Sequence, residues 1–264
     1  MKSLSWMTFL VVYICSSSLA AASLDLESLP SLRKKQYQLT GDDKFIIYSP
    51  ARTGSTLLFE IFRFLFEDIH SLNAYCYGLE NPKKVVYKIH SCNEQELIEK
   101  ASPGYLVVPI RDFPSSVVSM YKAVLNDNRH VTDYHSFIED LFREYVSIYT
   151  TAEKLQNNGI KIIKLDYDLF SKDLDYIFDT LSKELKVDID AHDKRILKDA
   201  LSKENVQKQT ANLPTSGEHL PLSGFHGFHI SCDSPVPLEL LYSIESFLQE
   251  HKDVLSSLTF LATP

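Results

Sequence analysis

The chain has 264 residues, enough for one α/β domain with a sizeable core, and its 44% hydrophobic and 23% charged content is ordinary for a globular protein. A formal net charge of −8 argues against a broad polyanion-binding surface and so against a nucleic-acid partner; any anion site has to be local.

Taken in order, the chain opens on Lys2, an uncharged run from Ser3 to Leu24, and a Ser/Ala-rich end at Ser16–Ala22. Basic, apolar and small-residue regions in that order read as a secretory signal peptide over residues 1–22, cleaved after Ala22. The alternative, an uncleaved signal anchor, fits less well because a spanning helix wants about 20 strongly apolar residues. Cleavage would leave Cys76, Cys92 and Cys232, which allow one disulfide and one free thiol in an exported chain with no stable membrane span. Residues 23–40 are polar and without period, a linker or surface arm, and residues 41–264 form the folded domain.

From there strand and helix signals alternate. Phe45–Tyr48 reads as a strand and Thr56–Asp68 as a helix whose off-stripe Phe59 and Phe64 call for cover on most sides. Lys84–Ile89 and Tyr105–Ile110 are further strands. Asp112 caps a helix with Pro114 in its first turn, running to about Lys122. Ser136–Gln156 is a long helix stopped by Asn157-Asn158-Gly159, and Lys161–Leu165 a fourth strand. Helices follow near Leu174–Leu185 and Ala191–Ser202, then a Gly/His/Pro-rich loop over Leu213–Pro237 and a last helix over Leu238–Leu255. The predicted fold class is therefore α/β, a three-layer α/β/α arrangement around a central parallel sheet. Ligands in such folds sit beyond the carboxyl ends of the strands. That places the residues after Tyr48, after Ile89 and after Ile110 on one rim.

The first rim segment, Ser49-Pro50-Ala51-Arg52-Thr53-Gly54-Ser55-Thr56, joins a strand to a helix start, where free N–H groups and the helix dipole favour an anion. Gly54 permits close approach, Ser55 and Thr56 add hydroxyls, and Arg52 adds a planar cation. The nucleotide loop G-x-x-x-x-G-K-S/T is not met: Ser49 replaces its first Gly and Ser55 its Lys. The second segment puts His90 just past a strand, where a neutral imidazole can accept a proton. The third ends a strand on Arg111 and carries Ser119 about two turns into the next helix, a pairing suited to a second phosphate. His219, His226 and His229 sit on the late loop without an acidic or thiol partner at ligand spacing, which does not make a metal site.

Together these segments resemble the sulfotransferases that use 3′-phosphoadenosine-5′-phosphosulfate (PAPS). Pro50–Thr56 is similar to that family's phosphosulfate loop, P-x-R/K-S/T-G-S/T-S/T. Lys88-Ile89-His90 resembles its K-T-H segment, and Arg111-Asp112-Phe113 through Ser119-Met120-Tyr121 its 3′-phosphate segment, with Pro shifted to Pro114. Leu165–Leu169 is similar to its Y-E-D-L strand end. The order agrees across Phe45 to about Leu169. Leu222–His229 keeps only the glycines of the R-K-G-x-x-G-D-W closing motif of the cytosolic branch, a motif many non-cytosolic members lack.

The resemblance implies a P-loop-like sulfotransferase architecture and transfer of a sulfuryl group from PAPS, without a metal, to a hydroxyl of a carbohydrate, lipid or protein. The arginine form of the loop is common in members acting on carbohydrates or proteins, and a carbohydrate is the first acceptor expected. It implies Arg52 and His90 as catalytic groups and Arg52, Thr53, Gly54, Ser55, Thr56, Arg111 and Ser119 as donor-binding groups. Glu60 or Glu80 is the alternative base, and Lys88 an aid to the leaving group. The contrasting expectation is a non-catalytic exported binding protein on the same scaffold.

Overall fold

The computed structural model describes residues 29–34, 36–38, 44–67, 85–90, 95–101, 103–210 and 234–261. The signal segment, Glu80, the three cysteines Cys76, Cys92 and Cys232, and residues 213–233 with His219, His226 and His229 lie outside the described residues.

Four strands, β1 (Phe45–Tyr48), β2 (Val86–Ile89), β3 (Tyr105–Ile110) and β4 (Lys161–Asp166), form one sheet in the order β2-β1-β3-β4, every pair parallel. The register aligns Phe45 with both Val86 and Tyr105, so β1 and β2 end level at Tyr48 and Ile89 while β3 runs on to Ile110. Side chains alternate between the two faces, as the pleat dictates. Phe45, Ile47, Val86, Val107, Ile163 and Leu165 point into one core; Ile46, Tyr48, Tyr87, Ile89, Leu106 and Val108 point into the other. Near-continuous apolar strands of this kind need cover on both sides, and they have it.

The first core is closed by α1 (Ser55–Phe66), α6 (Asp175–Leu185) and α7 (Ala191–Ala200); the second by α3 (Phe113–Asn126), α4 (Tyr134–Asn157) and α9 (Leu238–Glu250). This is the three-layer arrangement expected from the alternating sequence pattern. Every residue of α1 from Leu58 to Phe66 is buried, which is why its apolar residues are not confined to one stripe. Short helices α2 (Gln95–Ala101), α5 (Tyr167–Phe170), α8 (Lys203–Thr210) and α10 (Lys252–Ser257) complete the set among the described residues. The predicted last helix is broken into α9 and α10 at His251, whose backbone leaves helical geometry and whose ring stacks on Phe247 at 4.0 Å.

The segment ahead of β1 docks onto the domain. Leu29 is buried in the first core. Arg33 donates to the carbonyls of Phe64 and Glu67, Gln36 donates to Phe66, and the Tyr37 amide donates to Leu65. These bonds take up the orphan carbonyls at the C-terminus of α1. Tyr37 also donates its hydroxyl to the buried Asp193 of α7 (2.8 Å). None of the helices among the described residues is long and apolar enough to cross a membrane.

Candidate functional site

Six residues, Ser49 to Gly54, carry the chain from β1 into α1. Two of them have left-handed backbones, Arg52 (φ 67) and Gly54 (φ 85). A left-handed Arg is strained by roughly 1–2 kcal/mol, and strain of this kind gathers at functional loops. The turn is held from inside and from outside. Thr53 Oγ1 donates to the Pro50 carbonyl (2.9 Å), and the Ala51 amide donates to Glu144 Oε1 of α4 (3.2 Å). Gly54 is the N-cap of α1 and has no side chain with which to occupy the first-turn amides. It also has no room for one: a Cβ there would stand 2.7 Å from two ring carbons of Phe170 and 2.9 Å from Tyr167.

On one flank stand the residues of β2. Lys88 is buried and donates to Thr56 Oγ1 at 2.9 Å. His90 Nδ1 lies 2.8 Å from the Ser49 carbonyl. A carbonyl only accepts, so Nδ1 carries the proton and Nε2 turns its lone pair toward Ser55 Oγ, 3.4 Å away. Burial, with Lys88 nearby, pushes His90 down to about 4, so the imidazole is neutral at physiological pH. Burial likewise lowers Lys88 below the usual lysine range, against the opposing pull of Glu60.

On the other flank stand the end of β3 and the start of α3. The two-residue overhang of β3 carries Arg111 above the loop, where Nη1 donates to the Arg52 carbonyl (2.5 Å). Its guanidinium lies over the Tyr167 ring, 4.1 Å from the centroid, and its backbone carbonyl accepts from Tyr145 (2.8 Å). Arg111 Nε is buried with no hydrogen-bond partner among the described residues, and so is Ser49 Oγ. Arg52 Nε donates to Ser119 Oγ (3.1 Å), which joins the loop to α3. Burial and the neighbouring Arg111 lower Arg52 to about 10, which still leaves it a cation at neutral pH.

The fold therefore gathers Arg52, Thr53, Gly54, Ser55, Thr56, Lys88, His90, Arg111 and Ser119 around one loop at the carboxyl end of the sheet. Glu60 is not at that rim; it is buried on α1 with its carboxylate turned to Arg63. Three participants carry no signal of their role in the sequence. Glu144 holds the loop from 93 residues away, and nothing in its local sequence marks it. Tyr167 and Phe170 wall the loop, and an aromatic step in and just after the Leu165–Leu169 motif gives no sign of which residue it will face. Among the described residues, no group of three His, Cys, Asp or Glu side chains is placed to hold a metal ion.

No protein-family model matches the chain, and no curated protein matches it in sequence. A solved structure does. Mouse sulfotransferase SULT7A1, crystallised in complex with PAP, is similar over 89% of this chain and 91% of its own, with a TM-score of 0.51 and 16% sequence identity. The fold is the sulfotransferase fold. At this identity the likeness is one of architecture, and within the sulfotransferase fold the chemistry of this chain has to be argued from its own residues.

Proposed function

We propose that the chain is a sulfotransferase that moves a sulfuryl group from PAPS to a hydroxyl, with a carbohydrate as the first acceptor to try, and that it works after export through the secretory pathway. The observation that carries this reading is the pair of arginines at the loop, Arg111 bonded to the Arg52 carbonyl and Arg52 bonded to the Ser119 hydroxyl, beside an uncapped helix N-terminus. The orphaned Arg111 Nε and Ser49 Oγ fit the need for an anion, since buried polar atoms ordinarily find partners.

The loop amides with Thr53, Ser55 and Thr56 would hold the 5′ end of the donor, and Arg111 with Ser119 the 3′-phosphate. When bound, the donor supplies an SO3 group attached to a phosphate leaving group. Arg52 keeps its proton and acts electrostatically on charge that builds at the leaving side, and Lys88 adds a second cation there. His90 Nε2 takes the acceptor's hydroxyl proton as the new oxygen–sulfur bond forms and the sulfur–oxygen bond to phosphate breaks. A bound anion raises the basicity of His90 from its depressed value, toward the range a general base needs.

The test is calorimetric titration of the folded mature protein with 3′-phosphoadenosine-5′-phosphate. Saturable binding is expected, weakened about tenfold to a hundredfold by Arg111→Ala, the range for one charge-assisted contact. No binding, or binding indifferent to Arg111→Ala, overturns the reading. Binding without any PAPS-dependent sulfuryl turnover across a panel of glycan, lipid and peptide acceptors identifies instead a non-catalytic binding protein.

A further inference from the structure

The chain leaving β1 soon runs out of sheet to hold it. The Ser49 amide still bonds to the Ile89 carbonyl (3.3 Å). Pro50 has no N–H to offer. Ala51 therefore carries the next amide that can tie the loop down, immediately ahead of the left-handed Arg52. Its partner is Glu144 Oε1, carried on α4 (3.2 Å). Both residues line a small cleft between the loop and the helices α3 and α4, walled also by Pro50, Phe113, Leu141 and Tyr145, with room for about one water-sized group. A directed bond thus joins the loop to α4 beside a gap in the packing.

The next residue of α4 reaches the other arginine segment. Tyr145 donates its hydroxyl to the Arg111 carbonyl (2.8 Å), and Tyr149, one turn on, donates to the Pro109 carbonyl (2.9 Å). Successive helical side chains diverge by about 100°, so two neighbours can serve the ends of two adjacent strands, β1 and β3. Tyr145 is held in its own place by edge-on packing against Phe113 (5.2 Å) and Tyr149 (4.7 Å).

We propose that α4 is the alignment element of the anion site: Glu144 is a positioning residue that, through the Ala51 amide, places Arg52 against the end of β3 that Tyr145 holds. What the two arginines bind rests on the sulfotransferase reading; the alignment does not.

Arg52 is where the placement shows. A φ of 67 at a residue other than glycine has to be imposed by its surroundings. Glu144 fixes the peptide ahead of it, and the Thr53 hydroxyl, bonded back to the Pro50 carbonyl, fixes the residue after it. In that conformation Arg52 Nε turns to Ser119 Oγ and the Arg52 carbonyl to Arg111 Nη1. Reach matters more than charge in this role. The acceptor is a single carboxyl oxygen, and an amide oxygen at the same point would accept too. The charge itself works against an anion site, because a carboxylate beside the loop repels an anion. Burial raises the Glu144 pKa while the Ala51 amide holds it down, so the bond and the ionised form favour one another.

The experiment compares Glu144→Gln, which keeps an acceptor at the same reach, with Glu144→Asp, which keeps the charge and withdraws it by about 1.5 Å, one carbon–carbon bond. The readouts are hydrogen exchange of the Ala51 amide and the Arg52 Nε–H resonance of the full mature chain, the latter assigned by its loss in Arg52→Lys. In Glu144→Asp the Ala51 amide should exchange about tenfold faster or more, the scale of one charge-assisted bond, and the Arg52 resonance should move. In Glu144→Gln both should stay at their parent values. An Arg52 resonance that does not move in Glu144→Asp, or that moves alike in both variants, overturns the proposal. If Glu144→Asp does not fold, Glu144→Ala, which removes the charge with the bond, carries the same expectation and the same refutation. Calorimetric titration with 3′-phosphoadenosine-5′-phosphate adds the functional readout. Binding should weaken about tenfold in Glu144→Asp, and in Glu144→Gln it should equal or exceed the parent's, since a like charge has gone. Equal weakening in the two variants overturns the proposal. Absence of binding in the parent counts against the donor-site reading and leaves the Arg52 resonance to decide the alignment.

Discussion

Replacing Gly54 by Ala places two separable costs on one residue. The first is the backbone: at φ +85 an L side chain is disfavoured by roughly 1–2 kcal/mol. The second is space. The new Cβ would meet Phe170 at 2.7 Å and Tyr167 at 2.9 Å. Phe170 is fully buried and packed edge-on against Tyr167 (centroids 5.2 Å, 77°), so its ring has no open direction to swing. Overpacking of that kind costs about 1–3 kcal/mol. Gly159 supplies the control, because it has φ +92 and nothing within 4 Å of a built Cβ. Gly159→Ala reports the backbone cost alone. The expected losses in urea unfolding are about 1–2 kcal/mol for Gly159→Ala and about 2–5 for Gly54→Ala, the larger a fall in Tm of roughly 5–15 °C for a chain of this size. Because the same Cβ pushes the loop away from Phe170, Gly54→Ala should also lose nucleotide-bisphosphate binding, whereas Gly159→Ala should keep it. If the two variants lose equal stability, the contact between the loop and the Tyr167–Phe170 wall is not what holds the turn.

Three further outcomes follow from particular contacts. Arg52→Gly should be more stable than Arg52→Ala by about 1 kcal/mol in urea, since glycine relieves the left-handed strain that alanine keeps, while both lose anion binding in calorimetry. Arg33→Ala removes a cation that takes up two carbonyls at the end of α1 and should cost about 2 kcal/mol by the same denaturation; a change within error would mean that these two bonds add nothing to the fold. His90 titrates near 4 in the folded chain and near 6.5 when unfolded, so the folded state binds fewer protons between those values. Its contribution to stability is fully present above pH 6.5 and is lost as pH falls through that window. His90→Gln should accordingly flatten the decline in urea midpoint between pH 6.5 and 4, and a decline as steep as the parent's would place the cause elsewhere.

The strands and the long helices were legible because their patterns are strong. Phe45–Tyr48 and Tyr105–Ile110 match the observed strands, since a buried parallel strand is written as an unbroken apolar run. The Asp112 cap is seen as read, accepting from the Ser115 amide at 2.8 Å. The helices α2 and α8 are not legible in the sequence: QELIEKA buries Ile98 but exposes Glu96, Glu99 and Lys100, and KENVQKQT is polar almost throughout, so neither displays a face. At the site, the residues on strand ends and the helix start announce themselves through local chemistry. The residues that brace them do not. Glu144 and the Tyr167–Phe170 wall reach the loop only through the tertiary fold, and a one-dimensional pattern carries no trace of a contact between positions about a hundred residues apart.

The bonds from Arg33, Gln36 and Tyr37 close the end of α1 that lies farthest from Arg52. Twelve residues of helix separate the two poles by roughly 18 Å. A tether or affinity handle fused just ahead of Leu29 therefore starts its path on the side away from the anion loop, and a chain immobilised through it would offer its open rim to large, multivalent polymers rather than to the support.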